Sequence, residues 1–584
     1  MKKHWIIAAF LGLALTGCEN ILDKTDLSAF NEEQVFNDTL LAKGYVDYVY
    51  DQNLPTWPSG DFLKCTDEIG GESRFFEGTV QVNTVQDFGI GVNATNNYGK
   101  IRSINQFLAK LPAGGLSEDA KKRLMAQVTF FRAFRYWDLV QLYGGVPMVL
   151  QPLEGVGEEA KEEAAIPRSS TSESIALIVK DLDYSIANLP GRWTNTNDWG
   201  RITSGAAAGY KGRILLHYAS PQHNPNDLPE RWQAAYDANK KAMELLTANG
   251  FRLHNSFSDL WFQEVNNPEA VWVTCYNNKV GDQINKNMTW DNNTRPSYLG
   301  TAGGSNQPTW EIVQAFPMKN GKPIEEKGSG YDAQLFYKNR DPRFNQTIAF
   351  NGATWQINGN PNYRLWTYFV NNKTVEQKAT STGFYVRKAI DPNLAAGAVA
   401  NAGTDWIEMR YAEVMLNLAE AACGVNKLDE AYTQLTALRK RAGIEPGADG
   451  NYGLDPKMSR AEMFEAILHE RQVELAFEGK RFYDLRRWKK FETVLNGKSR
   501  NGVTINLKTT GITPEDFAAR RDGMSLDSIY KNYMEIVPKK LDTKYLVNWK
   551  PEYYFFAIPQ QALTNNPRLE QNIGWPSGTF NPLK

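Results

Sequence analysis

The sequence predicts a mainly α-helical protein in which helix pairs form a scaffold, interrupted by a long irregular segment. Three observations lead to this prediction. Apolar residues recur at spacings of three and four from about residue 117 to 246 and again from about 406 to 478. Glycines and prolines divide both stretches into segments of helical length. Between about 250 and 405 this periodicity fades, and Asn, Gly, Thr, Trp and Tyr accumulate.

The first half of the scaffold contains four predicted helices. The first begins after Ser117 and ends before Gly144, because glycine commonly follows the last helical residue and Pro147 cannot continue the helix. The other three cover about residues 171–189, 204–218 and 230–246.

The second half begins with two predicted helices joined by a short turn. Residues 406–423 read as one helix that Gly424 breaks, and residues 428–442 read as the next, which ends at Gly443. Two antiparallel helices with a short connection are typical of one unit of a helical-repeat array.

A further helix has a strong start signal. Ser459 stands three residues before Glu462, which is the spacing of a capping box, and Met458 and Met463 occupy the positions of a hydrophobic staple. The pattern predicts a helix from this point to Glu478.

The segment between about 250 and 405 combines tryptophans with turn signals such as Asn358-Gly359-Asn360. A structureless loop of this length is unusual in a compact domain. We therefore predict an irregular subdomain of loops, short strands and short helices, and residues 50–100 share its aromatic, Asn-rich character. The tryptophans of the segment are Trp261, Trp272, Trp290, Trp310, Trp355 and Trp366.

Charge and cysteine content argue against several classes of partner. The chain has 65 Lys and Arg against 66 Asp and Glu, a formal net charge of -1, without a block of like charge. Nucleic acid or an anionic lipid surface is therefore not expected as a partner. Beyond residue 18 the cysteines are Cys65, Cys275 and Cys423, and this odd, sparse set predicts structural thiols rather than a disulfide framework.

The first residues have the layout of a secretory signal peptide. Lys2 and Lys3 precede an apolar run that ends in Leu15-Thr16-Gly17-Cys18, and the run is too short to span a bilayer permanently. A cysteine after Leu-Thr-Gly is typical of a bacterial lipobox. The prediction is a signal peptide over 1–17, a lipidated Cys18 and a tether over 18–40, with an ordinary signal peptide and a chance cysteine as the alternative.

Five groups of motifs occur in order over nearly the whole chain. The most distinctive is His469-Glu470-Arg471, followed by Gly479 and by Asp484-Leu485-Arg486-Arg487-Trp488. The others are Phe131-Arg132-Ala133-Phe134-Arg135-Tyr136-Trp137 with Leu142-Tyr143-Gly144-Gly145-Val146-Pro147, Gly200-Arg201-Ile202-Thr203, Arg410-Tyr411-Ala412-Glu413, and Gln571-Asn572-Ile573-Gly574-Trp575. Together with the lipobox, this ordered set resembles the SusD/RagB family of outer-membrane nutrient-binding lipoproteins.

The resemblance implies a fold of tetratricopeptide-like helix pairs in which the irregular subdomain carries the ligand site. It also implies an outer-membrane protein, facing the cell exterior, that captures glycans, or peptides in some members, as the lid of a SusC-like TonB-dependent transporter in nutrient uptake. Residues 41–584 would form a single SusD-like domain. Its helical scaffold would cover about 101–250 and 405–584, and its ligand-binding subdomain about 250–405 plus the loops of 50–100.

The charged residues of these motifs are interpreted as structural ion pairs. They lie on helices that also carry core residues, and buried charge must be paired. Arg471, for example, stands beside Glu470 and near Glu474 and is expected to satisfy buried carboxylates. The full set is Arg132, Arg135, Glu470, Arg471, Glu474, Glu478, Arg481 and Asp484.

No catalytic residue, metal site or cofactor is predicted. The five histidines include no pair at the i, i+4 spacing of a helical metal site. Gly497-Lys498-Ser499 resembles the end of a P-loop, but Glu492 stands where that motif requires glycine. A glycosidase needs only two carboxyl groups, so the sequence leaves that class open without favouring any pair.

A site for a neutral, hydroxyl-rich ligand is predicted in the irregular segments. Flat aromatic faces pack against the C–H faces of sugar rings, and Asn, Asp and Arg pair with hydroxyls. The predicted stacking residues are Trp290, Trp310 and Trp366, followed by Trp57 and Tyr298, and the predicted polar residues are Asp67, Arg74 and Arg364. Ordinary core packing is the alternative for each tryptophan.

The sequence thus predicts a non-enzymatic, lipid-anchored protein that binds glycans and works with a SusC-like TonB-dependent transporter. The alternative among binding proteins is oligopeptide capture, for which Arg, Lys and Asp would dominate the pocket. The alternative from another class is a surface glycoside hydrolase, which requires two carboxyl groups about 5 to 10 Å apart in an aromatic cleft.

Overall fold

The structure is a computed structural model that describes residues 32–91, 96–153, 157–276, 289–300 and 304–584. The predicted signal peptide, Cys18 and most of the predicted tether lie outside these residues. Within the described ranges, none of the helices combines the length and the apolar character needed to cross a membrane.

Long helices make up the scaffold. Helix α3 begins after Ser117, whose side chain accepts a hydrogen bond from the Ala120 backbone N–H, and it is followed by Gly144 with φ 77°. These are the boundaries that the sequence predicts. The described long helices are α1 (Thr39–Asn53), α2 (Asn97–Lys110), α3 (Glu118–Tyr143), α4 (Thr171–Asn188), α5 (Ser204–Ala219), α6 (Pro229–Ala248), α7 (Tyr411–Gly424), α8 (Leu428–Ala442) and α9 (Arg460–Glu474).

Consecutive long helices pack side by side from α1 to α9, and this arrangement confirms the predicted array of helix pairs. The packing of α5 against α6 depends on glycines in α5. A Cβ on Gly205 would lie 2.6 Å from the Leu246 side chain, and one on Gly212 would lie 2.3 Å from the Asn239 side chain. Small residues at these positions therefore allow the two helices to pack closely.

Two predicted boundaries were wrong. Residues 406–410 form strand β6 rather than the first turn of α7, because they pair in antiparallel register with residues 270–274. Helix α9 has the predicted capping box at Ser459, but it ends at Glu474 and not at Glu478. The residues after Glu474 form turns, and Phe477 adopts a left-handed conformation with φ 64°.

Short helices connect the long ones and fill the irregular subdomain. The short α-helices are Glu32–Asn37, Asp61–Lys64, Arg74–Glu77, Glu158–Ala164, Thr289–Thr294, Trp310–Ala315, Pro342–Thr347, Arg481–Arg487, Phe491–Val494, Pro514–Arg520, Leu526–Tyr533 and Gln560–Asn565. The short 3-10 helices are Leu111–Ala113, Thr196–Asp198, Asp259–Phe262, Ser297–Leu299, Ala333–Leu335, Ala396–Asn401, Arg521–Gly523 and Pro551–Tyr554.

The strands form three small sheets in the described residues. The first pairs β1 with β6 and the second pairs β2 with β5, both antiparallel. The third has the order β4-β3-β7-β8, in which only the β3–β7 pair is parallel. The strands are β1 (Ala270–Thr274), β2 (Ile348–Phe350), β3 (Phe369–Val370), β4 (Lys373–Thr374), β5 (Phe384–Val386), β6 (Trp406–Arg410), β7 (Asn501–Leu507) and β8 (Met534–Lys540).

Buried apolar side chains form two clusters. One lies among the long helices. The other joins residues between 257 and 407 to residues 503–534, and it also takes in Trp57 and Ile69 from the N-terminal loops. Residues 501–540 therefore pack with the irregular subdomain and not with the helical scaffold in which the sequence interpretation placed them. The physical reason is the pairing of β7 with β3, a contact between segments far apart in sequence.

Ion pairs between buried side chains connect the motif residues, as the sequence interpretation expected. Arg132 pairs with Asp181, and Arg481 pairs with Asp67. Arg471 satisfies a buried carboxylate, as expected, and that carboxylate belongs to Asp484: the Nε of Arg471 donates to Asp484 at 2.9 Å and its Nη1 donates to the Asn417 side chain at 2.7 Å. Glu470 and Glu474 are instead satisfied by Arg343, Arg410, Arg439 and Arg441.

Candidate functional site

A cleft of about 830 Å³ opens on the irregular subdomain. We call it the aromatic cleft. It combines tyrosine and tryptophan rings with guanidinium, amide and carboxylate groups. The residues that line it are Tyr298, Leu299, Thr354, Asn360, Asn362, Tyr363, Arg364, Trp366, Val375, Glu376, Gln377, Arg521 and Asp522.

A folded-back loop forms one wall of the aromatic cleft. Residues 354 and 364 are paired in an antiparallel bridge, and the Trp355 backbone N–H donates to the Tyr363 carbonyl at 2.8 Å. The chain reverses at Asn358 and Gly359, which have φ 56° and 70°, a conformation that favours glycine and asparagine. The turn signal visible in the sequence therefore positions Asn360, Asn362 and Tyr363 at the cleft.

Trp366 lines the cleft and packs against two guanidinium groups. The central carbon of Arg364 is 5.0 Å from the centroid of its ring, and that of Arg521 is 4.8 Å away. The indole Nε1 donates to Asp522 at 2.9 Å. Because only 7% of Trp366 is exposed, the residue offers ligand a narrow surface and mainly positions the two arginines.

Backbone carbonyls hold the Arg364 side chain in place. Its Nε donates to the Gly352 carbonyl at 3.0 Å, and its Nη1 donates to the Arg521 carbonyl at 2.9 Å. Burial lowers the pKa of Arg364. The Nη1 of Arg521 donates to the Tyr368 hydroxyl at 2.6 Å. The two arginines are thus fixed in orientation before any ligand arrives.

Glu376 also lines the cleft, and its carboxylate accepts hydrogen bonds from tyrosines. The Tyr298 hydroxyl donates to Oε1 at 2.7 Å, the Tyr385 hydroxyl donates to the same oxygen at 3.0 Å, and the Thr380 backbone N–H donates to Oε2 at 3.2 Å. Burial raises the pKa of Glu376. Both carboxylates that line the cleft, Glu376 and Asp522, therefore have hydrogen-bonding partners within the described protein.

Three of the residues predicted from sequence, Tyr298, Arg364 and Trp366, meet in the aromatic cleft. Other lining residues were not predicted from the sequence. Asn360, Asn362 and Tyr363 follow a turn signal that was visible, whereas Arg521 and Asp522 lie in a segment assigned to the helical scaffold. The pairing of β7 with β3 and the hydrogen bonds from Arg364 and Trp366 hold that segment at the cleft.

Trp57 and Trp290 are core residues, contrary to the prediction that they stack against ligand. They are 4% and 3% exposed, and their rings stack on each other with centroids 5.3 Å apart and planes 12° apart. Each indole donates to a backbone carbonyl, Trp57 to Thr404 and Trp290 to Lys388. Trp261 and Trp406 also pack on Trp57. All four tryptophans are buried in the second apolar cluster.

The remaining predicted residues lie outside the aromatic cleft. Trp310 is half-buried, with its ring stacked on Phe384 at a centroid distance of 5.7 Å. Asp67 is buried and receives hydrogen bonds from Arg481 at 2.8 and 2.7 Å. Burial alone would raise the pKa of Asp67, but the Arg481 guanidinium lowers it below its ordinary value. Arg74 is exposed and donates to the Thr84 carbonyl at 3.2 Å. The structure thus assigns Asp67 a structural ion pair.

Two family models match the chain. The model described as the SusD family covers residues 268–575, and a model described as starch-binding, associating with the outer membrane, covers residues 65–216. The first match spans more than half of the chain and contains nearly all of the second apolar core together with the aromatic cleft.

Similar proteins and structures extend over most of the chain. A SusD-like protein, P25, of Formosa agariphila is 25% identical over 520 residues, which are 83% of this chain and 90% of that protein. A solved SusD-like protein of Bacteroides fragilis has a TM-score of 0.72 at 24% identity, covering 94% of this chain and 100% of its own. A SusD-like carbohydrate-binding protein of the same species has a TM-score of 0.70 at 21% identity, covering 92% and 100%. The solved structures share the fold.

Proposed function

The chain belongs to the SusD family, and from this premise we propose that it captures glycans in the aromatic cleft and delivers them to a SusC-like TonB-dependent transporter. It is a binding protein rather than an enzyme. A solved relative with the same fold is named a SusD-like carbohydrate-binding protein. The observation that carries the proposal is the convergence of Tyr298, Tyr363 and Trp366 with fixed arginines in one open cleft.

The chemistry of the aromatic cleft suits a hydroxyl-rich ligand. Half-buried tyrosine rings supply apolar faces, and the exposed amides of Asn360, Asn362 and Gln377 can each donate and accept hydrogen bonds. A sugar hydroxyl also donates and accepts hydrogen bonds, so these amides can replace the hydrogen bonds that the hydroxyl loses when it leaves water. The two preordered arginines add donors at little further entropic cost.

We place the protein at the outer membrane, in agreement with the description of the family model that matches residues 65–216. Lipidation of Cys18 and a cell-exterior orientation are parts of this proposal. At about 0.8 kcal/mol per buried methylene, several acyl chains give stable anchoring without a membrane-spanning helix. The SusC-like partner rests on the family resemblance.

Titration of glycans against cleft variants tests the proposal. A glycan array screened with the soluble form lacking residues 1–18 would supply the ligand, and calorimetry would then measure its affinity for Tyr363→Ala. Loss of one stacking ring is expected to weaken binding by about tenfold. The matched control is Tyr48→Ala, which removes a tyrosine that is 49% exposed on α1, outside the cleft. Equal affinity of both variants for the glycan would reject the cleft as the site.

Oligopeptide capture is a second candidate, favoured by the charged residues of the same cleft. Arg364, Arg521, Glu376 and Asp522 are residue types that recognise peptide termini. A short peptide library titrated under the same conditions separates the two candidates. This second candidate would be favoured if peptides bind the wild type but not Arg521→Gln, and if no glycan on the array binds.

A further inference from the structure

A second pocket, which we call the basic pocket, opens at the end of α6, and it shares no lining residue with the aromatic cleft. Its volume is about 420 Å³. The loop that follows α6 supplies most of its wall, including Arg252, His254, Gln263 and Asn266, and the connection between α4 and α5 supplies Arg192.

The two arginines of the basic pocket lack acidic partners. Neither guanidinium is ion-paired to a carboxylate anywhere in the described part of the chain, and no Asp or Glu lines the pocket. Burial and then the like charge of Arg252 lower the pKa of Arg192. Placing two positive charges together without a partner is unfavourable, so an anion in this pocket would relieve their repulsion.

The side chain of Arg192 and the backbone of Arg252 are anchored by their surroundings. The Nε of Arg192 donates to the Asn249 carbonyl at 2.6 Å, and the central carbon of its guanidinium lies 4.2 Å from the centroid of the Phe251 ring. This arrangement leaves the two Nη groups of Arg192 available to a ligand. The Arg252 backbone N–H donates to the Pro268 carbonyl at 2.9 Å, which fixes the start of its side chain.

Hydrogen bonds also fix the polar wall. Nε2 of His254 lies 3.0 Å from Oε1 of Gln263, and Nε2 of Gln263 donates to the Asn266 carbonyl at 3.0 Å. The buried carboxylate of Glu269 accepts a hydrogen bond from the His254 backbone N–H at 2.7 Å, but Arg410 and Arg441 pair with it and offset its charge. The pocket therefore keeps its positive charge although the whole chain has a formal net charge of -1.

We propose that the basic pocket binds the anionic group of an acidic saccharide, a carboxylate or a sulfate ester. Guanidinium groups bind both kinds of oxyanion through paired N–H donors. The same loop exposes Phe262 and Val265, which are 38% and 51% exposed, and these side chains offer an apolar surface to the C–H face of the sugar ring. This second site does not depend on ligand binding in the aromatic cleft.

Binding of small charged sugars to the full-length chain in detergent tests this proposal. The probes are glucuronate and galactose 6-sulfate, with glucose, galactose and inorganic sulfate as comparisons, observed by saturation-transfer NMR and calorimetry. The charged sugars are expected to bind more tightly than the neutral sugars and than inorganic sulfate, and their binding is expected to weaken as salt is added. Arg252→Gln is expected to reduce their affinity by about tenfold or more.

Two controls accompany this test. Arg252 is exposed, so Arg252→Gln is expected to melt like the wild type. Arg252→Gln therefore measures the loss of binding by a folded protein, even if the corresponding variant Arg192→Gln folds poorly. Tyr48→Ala, on α1 and outside both sites, is expected to leave binding of the charged sugars unchanged. The proposal is overturned if Arg252→Gln binds them normally, if neutral sugars bind equally well, or if inorganic sulfate alone binds as tightly as galactose 6-sulfate.

Discussion

Arg410 forms a two-point ion pair with Glu478 in the protein interior. Its Nε donates to Oε2 at 2.9 Å and its Nη2 donates to Oε1 at 2.8 Å, with the two side chains 0% and 3% exposed. Arg410 is the last residue of β6, and Glu478 follows α9. The pair therefore ties the strand before the helix pair α7–α8 to the segment after α9, where the two apolar cores meet.

The first prediction is that Arg410→Ala strongly destabilises the protein. Glu269, Glu474 and Glu478 would each lose a partner, and removing one member of a buried pair typically costs about 3–5 kcal/mol. Urea denaturation measures the free energy of unfolding. The control is Lys240→Ala, which breaks a more exposed pair with Glu430 and should cost less than about 1 kcal/mol. Similar losses in both variants would contradict the buried-network interpretation.

The second prediction separates a structural role from a ligand role at Arg471. Arg471→Ala would leave Asp484 with only Arg487 as an ion-pair partner and remove the donor to Asn417, so the free energy of unfolding is expected to fall by about 3–5 kcal/mol. Thermal melts and glycan titrations on the same samples measure the two effects. A variant that melts like the wild type but no longer binds glycan would assign this motif to the ligand site instead.

Local signals in the sequence predicted the helical scaffold, whereas pairings between distant segments escaped prediction. Ser117, Ser459 and the helix-ending glycines mark helix ends because caps act within a few residues of the chain. The set of buried charged motif residues was also predictable. Their partners were not, since Arg471 reaches Asp484 and Asn417 only once three helices are packed.

The candidate site was predictable in part for the same reason. Tyr298, Arg364 and Trp366 lie in the irregular segment and line the aromatic cleft. Composition alone could not separate them from Trp57 and Trp290, because a segment without periodicity gives no sign of which face is buried. The contribution of residues 521 and 522 depends on contacts between distant segments, the β3–β7 pairing and the hydrogen bonds from Arg364 and Trp366, for which the sequence contains no local signal.

The third prediction concerns pH and Glu68. Burial, followed by the nearby Asp67 charge, raises the pKa of Glu68 to about 8 from an ordinary value of 4.5. Between pH 4.5 and about pH 8 the Glu68 carboxyl group is therefore protonated in the folded protein and ionised in the unfolded chain. The stabilising contribution is complete below pH 4.5, declines as the pH rises, and is lost once the pH passes about 8.

Glu68→Gln mimics the protonated side chain, so its stability relative to the wild type should increase from pH 5 to pH 8 and then level off. Urea denaturation at several pH values measures the difference between the two proteins, which cancels the titration of other groups. Glu72→Gln, at an exposed position, is the control for replacing a glutamate by glutamine. A constant difference between Glu68→Gln and the wild type at every pH would contradict the raised pKa of Glu68.

The fourth prediction is that Cys18 carries the lipid. Cys18→Ala is expected to abolish incorporation of a tagged fatty acid and to release the protein from the membrane fraction, because the remaining chain offers no spanning helix in its described part. Cys275→Ala, which removes a thiol of the folded domain, is the matched control and should keep the label. Equal labelling of Cys18→Ala and the wild type would reject the anchor.

The last prediction distinguishes the tryptophan core from the ligand site. Trp290→Ala would open a cavity beside Trp57 and remove the hydrogen bond to the Lys388 carbonyl, so the free energy of unfolding is expected to fall by about 3–5 kcal/mol. Trp290→Phe keeps most of the apolar volume, and it should cost less and leave glycan affinity unchanged. Urea denaturation and calorimetric titration of both variants measure these effects. If Trp290→Ala kept its stability but lost glycan binding, Trp290 would be a residue that stacks against ligand. The aromatic cleft would then not be the main glycan site.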